Sequence, residues 1–109
     1  MISLDNVKMR VINTSPSGVV NEETIFSFSQ NGQHVWAHYA GGKIKNGYLV
    51  GSNIDNQVNF SYCQQQLDGK LDHGISSCQL SVTANNKIRL LEHFEWRDEQ
   101  TGENIFEEV

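Results

Sequence analysis

Glu92 is the residue whose type and position point most directly to chemistry. It interrupts the apolar series Ile88, Leu90, Phe94 and Trp96 at a place where strand alternation demands an inward side chain. A buried lone carboxylate is costly unless it is paired, hydrogen-bonded or protonated. Glu92 is therefore a polar anchor for a ligand, a general acid or base with a raised pKa, or a structural carboxylate satisfied by an interior Tyr, Trp or Arg or by water at the mouth of the interior. Tyr39, Tyr62, Thr24 and Trp96 are its expected interior polar company, and core packing is the plainer role of each.

The other reactive types do not assemble. Cys63 and Cys78 lie 15 positions apart with no Cys-x-x-Cys, so no zinc spacing is present. His34 and His38 share a strand face but stand roughly 13 Å apart, at about 3.3 Å per residue, and cannot chelate one metal together. With Trp36 they form an outward row, either a solvated face or part of a subunit interface. His93 also faces outward, and His73 sits near a turn. Asp98, Glu99, Glu103, Glu107 and Glu108 read as solvated charge. No metal site or cofactor is expected.

Tight turns position these residues. Gln30-Asn31-Gly32-Gln33, Ala40-Gly41-Gly42-Lys43, Leu67-Asp68-Gly69-Lys70 and Ala84-Asn85-Asn86-Lys87 each separate short runs rich in β-branched and aromatic residues. Asn-Gly, Gly-Gly and Asp-Gly supply the positive φ of hairpin turns, so flanking runs pair antiparallel. Eight strands are predicted near residues 6–12, 23–30, 33–40, 43–51, 56–66, 71–83, 87–97 and 103–109. A helix over Ile88 to Glu99 is the main rival, but alternation favours a strand. Pro16, the only proline, falls in a polar loop after the first strand.

Turn type sets register. A two-residue Asn31-Gly32 loop pairs Phe28 with Val35, Phe26 with Ala37 and Thr24 with Tyr39, and a Gly41-Gly42 loop places Tyr39 opposite Ile44. A bulge near Lys45 and Asn46 would turn Gly47, Leu49 and Gly51 inward in place of Tyr48 and Val50. A three-residue loop ending in a left-handed Gly69 pairs Tyr62 with Gly74, Phe60 with Ser76 and Val58 with Cys78. The same loop at Ala84-Asn85-Asn86 pairs Val82 with Ile88, Leu80 with Leu90, Cys78 with Glu92, Ser76 with Phe94 and Gly74 with Trp96. Both hairpins independently put Gly74, Ser76, Cys78, Leu80 and Val82 on the inner face. Cys63 then points outward and Cys78 inward, so the two stay free thiols.

Composition bounds the partners. The 109 residues fit one domain spanning 1–109, and the net charge of −5 with scattered basic residues argues against nucleic acid. No stretch approaches the roughly 20 apolar residues of a membrane helix. The N-terminus shows no basic region followed by an apolar run, so a soluble cytoplasmic protein is the expectation.

Tyr39-Ala40-Gly41-Gly42-Lys43-Ile44, Gly47 to Gly51, Asp68-Gly69, and Arg89-Leu90 through Glu92 to Trp96 together resemble a family of small bacterial proteins of about this length. The resemblance spans most of the chain and rests on turn and core signatures. Members often carry the label N-acetylglutamate synthase, which would imply an α/β fold with a Gly-rich loop, Gln/Arg-x-x-Gly-x-Gly/Ala, for acetyl-CoA. No segment here matches that loop, so its motifs do not support acetyl transfer. Asn86 stands where these relatives favour glycine.

The expected fold is all-β: one eight-stranded antiparallel up-and-down barrel, similar to calycins such as lipocalins, fatty-acid-binding proteins and avidins. Closure removes the exposed edges of a meander. The first functional reading is binding of a small, partly apolar ligand among Phe26, Phe28, Tyr39, Phe60, Tyr62, Phe94, Trp96 and Thr24, with Glu92 fixing its polar end. The alternatives are an enzyme using Glu92 as acid or base, with no second catalytic partner assignable, and a structural or oligomerising protein with outward Trp36, Ile25 or Phe106. A homo-oligomer is compatible with each.

Overall fold

Short strands alternating buried and exposed residues, joined by turns that supply positive φ, build the molecule. The computed structural model describes residues 2–15, 18–96 and 101–109, and for Trp96 the backbone alone. Pro16, Asp98 and Glu99 lie outside the described residues. The strands are β1 (Lys8–Thr14), β2 (Ile25–Asn31), β3 (His34–Gly41), β4 (Ile44–Ile54), β5 (Gln57–Gln66), β6 (Leu71–Val82), β7 (Ile88–Trp96) and β8 (Thr101–Glu108). Each pairs antiparallel with its sequence neighbour, and β8 returns to β1 to close the barrel. The 88–96 segment is a strand, as alternation predicts.

The hairpins from β5 to β7 follow the predicted register: Tyr62 opposes Gly74, Cys78 opposes Glu92 and Gly74 opposes Trp96. Gly69 (φ 90°) and Asn86 (φ 65°) hold the left-handed positions of the two three-residue loops. Asparagine tolerates that conformation because its short polar side chain bonds locally.

Two earlier hairpins differ. Asn31 stays in β2 opposite His34, and the loop is Gly32-Gln33, with Gly32 at φ 60°. Glycine at the first central position is the signature of a type II′ turn, which displaces the predicted pairing by two residues. Phe28 therefore opposes Ala37 rather than Val35, and Phe26 opposes Tyr39. A slip of two preserves parity, so both phenylalanines remain inward. At the next turn Gly42 (φ 62°) leads the loop and Gly41 opposes Ile44. An irregularity between Tyr39 and Gly41 then sets Tyr39 opposite Gly47 instead of Ile44. The bulge foreseen in β4 lies between Ile44 and Asn46; Gly47 and Leu49 are buried, while Tyr48 and Val50 are exposed.

A fifth tight turn, Asp55-Asn56, joins β4 to β5 with both residues at positive φ (52° and 70°), the pattern of type I′. It carries no glycine and is not among the turns predicted above.

Inward glycines make room for inward rings. Tyr39 faces Gly47, Phe60 faces Gly51, Tyr62 faces Gly74 and Phe94 faces Gly102 on paired strands. A Cβ on Gly47 would lie 2.2 Å from the Tyr39 ring, and one on Gly102 would lie 2.3 Å from the Phe94 ring. Each ring therefore lies against the neighbouring backbone, and the aromatics fit within a barrel of only eight strands.

The barrel's two ends are covered differently. At the end of the Gly32-Gln33 and Asp55-Asn56 turns, the segment before β1 folds across: Leu4 is fully buried, Asn53 Nδ2 donates to Ile2 O (2.8 Å) and Leu4 N donates to Gln30 Oε1 (2.9 Å). At the opposite end the β1–β2 connection brings Val20 into the core.

Other expectations need correction. Phe106 is not outward: it is buried opposite Leu90, its ring 4.7 Å from that of Phe26. Val82 has the predicted parity but sits at the rim, where it is 49 % exposed. Glu107 is not plain solvated charge, since Arg89 Nη2 donates to it at 2.7 Å and this hydrogen bond holds its carboxyl below the usual range. Among the described residues no helix is long and apolar enough to cross a membrane.

Candidate ligand-binding site

Alternation on β7 turns Glu92 inward, and β6 and β8 bring its partners. Ser76, one inward position along β6 from the Cys78 that opposes Glu92, donates its hydroxyl to Oε2 at 2.6 Å. Asn104, directly opposite on β8, donates Nδ2 to Oε1 at 2.8 Å. Burial pushes the Glu92 carboxyl up, and the bonds from Asn104 and Ser76 offset part of that rise. Among the described residues the carboxylate is thus met by a hydroxyl and an amide.

A small cavity of about 30 Å³ adjoins this group. Its wall includes Tyr39, Phe60, Tyr62, Phe94, Asn104 and Glu92, and Gly18, Val19 and Val20 of the β1–β2 connection also line it. Two of its polar atoms, Tyr62 Oη and Asn104 Oδ1, are buried without a hydrogen-bond partner. Such atoms cost free energy when left unmade, roughly 1–3 kcal/mol each.

A second polar chain runs from the same interior to the barrel end. Tyr39 Oη donates to Gln64 Oε1 at 2.9 Å, and Asp72 Oδ2 accepts from Gln64 Nε2 (3.4 Å) and Gln66 Nε2 (2.8 Å). Burial first, and then the nearby Glu92 charge, push the Tyr39 and Tyr62 hydroxyls well above their ordinary pKa. Both stay protonated donors.

The predicted site residues therefore divide. Glu92, Tyr39, Tyr62, Phe26, Phe60 and Phe94 meet around the cavity. Phe28 is buried but adds to the core beside Phe26 and does not line it. Thr24 lies just before β2, fully buried, where its hydroxyl donates to Gly41 O (3.0 Å) and accepts from Asn21 N (3.2 Å). It fastens a turn, because β2 begins only at Ile25 and Tyr39 pairs with Phe26 instead. The Trp96 backbone pairs with Gly74, and its side chain lies outside the described residues.

Asn104, Ser76, Gln64 and Asp72 were not among the expected site residues. The β5–β6 register already paired Gln64 with Asp72 on the inner face, so extending the alternation beyond Tyr62 would have found them. Asn104 had no such signal, since the register of β8 on β7 lacks a diagnostic turn.

Eight antiparallel strands closed around one aromatic-lined interior describe a known kind of barrel, and a profile of the family described as avidin-like protein matches residues 2–109. The chain belongs to the avidin-like family. No curated protein and no solved structure matches it. In this avidin-like barrel Cys63 is exposed and Cys78 buried, both free, as strand parity requires. Burial, reinforced by Glu92, pushes the Cys78 thiol up, which leaves it a core residue rather than a nucleophile.

Proposed function

We propose that the avidin-like barrel binds a small, partly apolar ligand in its interior. The observation that carries this reading is a pair of unpartnered buried atoms, Tyr62 Oη and Asn104 Oδ1, on two residues that line one cavity together with Glu92. Phe26, Tyr39, Phe60 and Phe94 supply its apolar wall, Glu92 fixes the polar end, and Trp96 is carried as a further candidate.

Size limits the ligand. About 30 Å³ holds one or two water-sized groups, whereas pockets for drug-sized ligands run to roughly 300–1,000 Å³. Family members bind small ligands such as biotin. A molecule of that size exceeds this space, which accepts a polar head of one or two heavy atoms.

The outer face favours self-association as well. Trp36 and Val50 oppose each other on β3 and β4, Tyr48 flanks them, and Ile75 lies two strands beyond Val50; all four are 45–64 % exposed. The free thiols fit a reducing cytoplasmic setting.

Native mass spectrometry of protein purified from its own host tests both readings. A retained small molecule supports interior binding, and an empty monomer counts against binding and self-association alike.

A further inference from the structure

Charge inside the barrel is one-sided. Glu92 and Asp72 are both inward and about 5 % exposed, and neither carboxylate has a cationic partner among the described residues. Every described lysine is exposed, and Arg10 and Arg89 stand on the outer face, Arg89 paired with Glu107. Glu92 is met only by two neutral donors, Ser76 and Asn104. Glu92 lines the cavity with Tyr39 and Tyr62, and Asp72 is linked to Tyr39 through Gln64.

The polar residues that line the cavity carry oxygens with lone pairs to spare. Asn104 spends its amide N–H on Glu92, which leaves Oδ1 as an acceptor with nothing to accept. Tyr62 Oη is likewise unused, and the Glu92 carboxylate retains acceptor capacity beyond its two bonds. Asn104 is 3 % exposed and Tyr62 8 %, so water does not satisfy them from outside. Tyr39, Phe60 and Phe94 are among the other lining residues.

We propose that this cavity takes the primary ammonium group of a small amine, with Glu92, Asn104 Oδ1 and Tyr62 Oη as the three acceptors for its three N–H bonds. The class follows from two features together: no described cation balances the carboxylates, and the volume suits a head of one or two heavy atoms. The proposal deepens the interior-binding reading and rests on it. The apolar remainder of the amine would run along the aromatic wall toward Gly18 to Val20.

Methylammonium chloride is the direct probe, titrated into the intact protein against sodium chloride at equal concentration and followed by amide NMR shifts. A ligand of two heavy atoms binds at best with a dissociation constant on the order of 10 mM. The expected result is a saturable shift at residues around Glu92, Asn104 and Tyr62 that sodium does not produce. Glu92→Gln should weaken it at least about tenfold and Tyr62→Phe by roughly two- to tenfold, as for loss of a charged and a neutral hydrogen bond. Should Glu92→Gln fail to fold, Tyr62→Phe keeps the geometry testable. Acetamide, matched in size but uncharged, separates the two claims. Binding of acetamide without methylammonium overturns the ammonium assignment and leaves interior binding standing. Response to neither, with a ligand retained in native mass spectrometry, does the same. Response to neither and no retained ligand overturns both.

Discussion

A carboxyl group fully enclosed beside a hydroxyl and an amide holds its proton more tightly than one in water. Glu92 has this setting, with its pKa raised above the ordinary 4.5 chiefly by burial. The folded state therefore binds the proton more strongly than the unfolded chain. Its contribution to stability is fully present below the unfolded carboxyl pKa and is lost as pH rises through the raised folded value. The neighbouring Tyr39, Tyr62 and Cys78 are displaced upward and do not titrate in that window, and Asp72 is the other carboxylate facing the interior. Glu92→Gln should remove this decline, so urea unfolding of variant and wild type should diverge as pH rises above the ordinary carboxyl value of 4.5, the variant holding its stability. Tyr62→Phe keeps the ring and deletes a hydroxyl with no partner, and should stabilise the empty protein by up to about 1 kcal/mol in the same measurement. Thiol labelling reads strand parity: one thiol per chain, Cys63, should react in the native protein, and the second only on unfolding.

At the level of strands, the pairing of aromatic residues with glycines governs how tightly the interior fills. Gly47→Ala would drive a methyl into the Tyr39 ring and should cost about 1–3 kcal/mol, read as a lower urea midpoint with unchanged slope. Gly32→Ala is milder, since its Cβ meets nothing and only the positive φ is strained. Much of this was legible locally. Gly69 and Asn86 fixed the β5–β6 and β6–β7 registers, and with them Glu92 opposite Cys78. The Gly32 and Gly42 turns were misplaced by one position, because a glycine can occupy either central site of a two-residue loop and flanking composition does not say which. At Asp55-Asn56 both residues reach positive φ without glycine, as Asn86 does.

Across the whole molecule, the two covered ends decide how closed the interior is. Leu4, from the segment before β1, is fully buried at one end and tied through Gln30, Asn53 and Asn56 to the hairpins there. Leu4→Ala should cost about 2–4 kcal/mol by cavity formation, measured by urea unfolding, and should leave the Glu92 end of the barrel unchanged in ligand retention. The closing β1–β8 pair carries a register shift between Val11 and Asn13, and β1 pairs with β2 over only three positions. Hydrogen exchange should therefore be fastest along β1.

The sequence by itself determined the alternation of the central strands other than β4, the separated cysteines and the inward carboxylate, because these depend on a period of two and on turns that constrain a few neighbouring dihedrals. Tertiary structure alone decided that Asn104 would meet Glu92, that Tyr39 would reach Gln64 two strands away, that Phe106 would turn inward, and that the interior would close to about 30 Å³. Those outcomes follow from the stagger and tilt with which eight strands close into a barrel and from how long segments cover its ends. Neither quantity is written in any local stretch of residues.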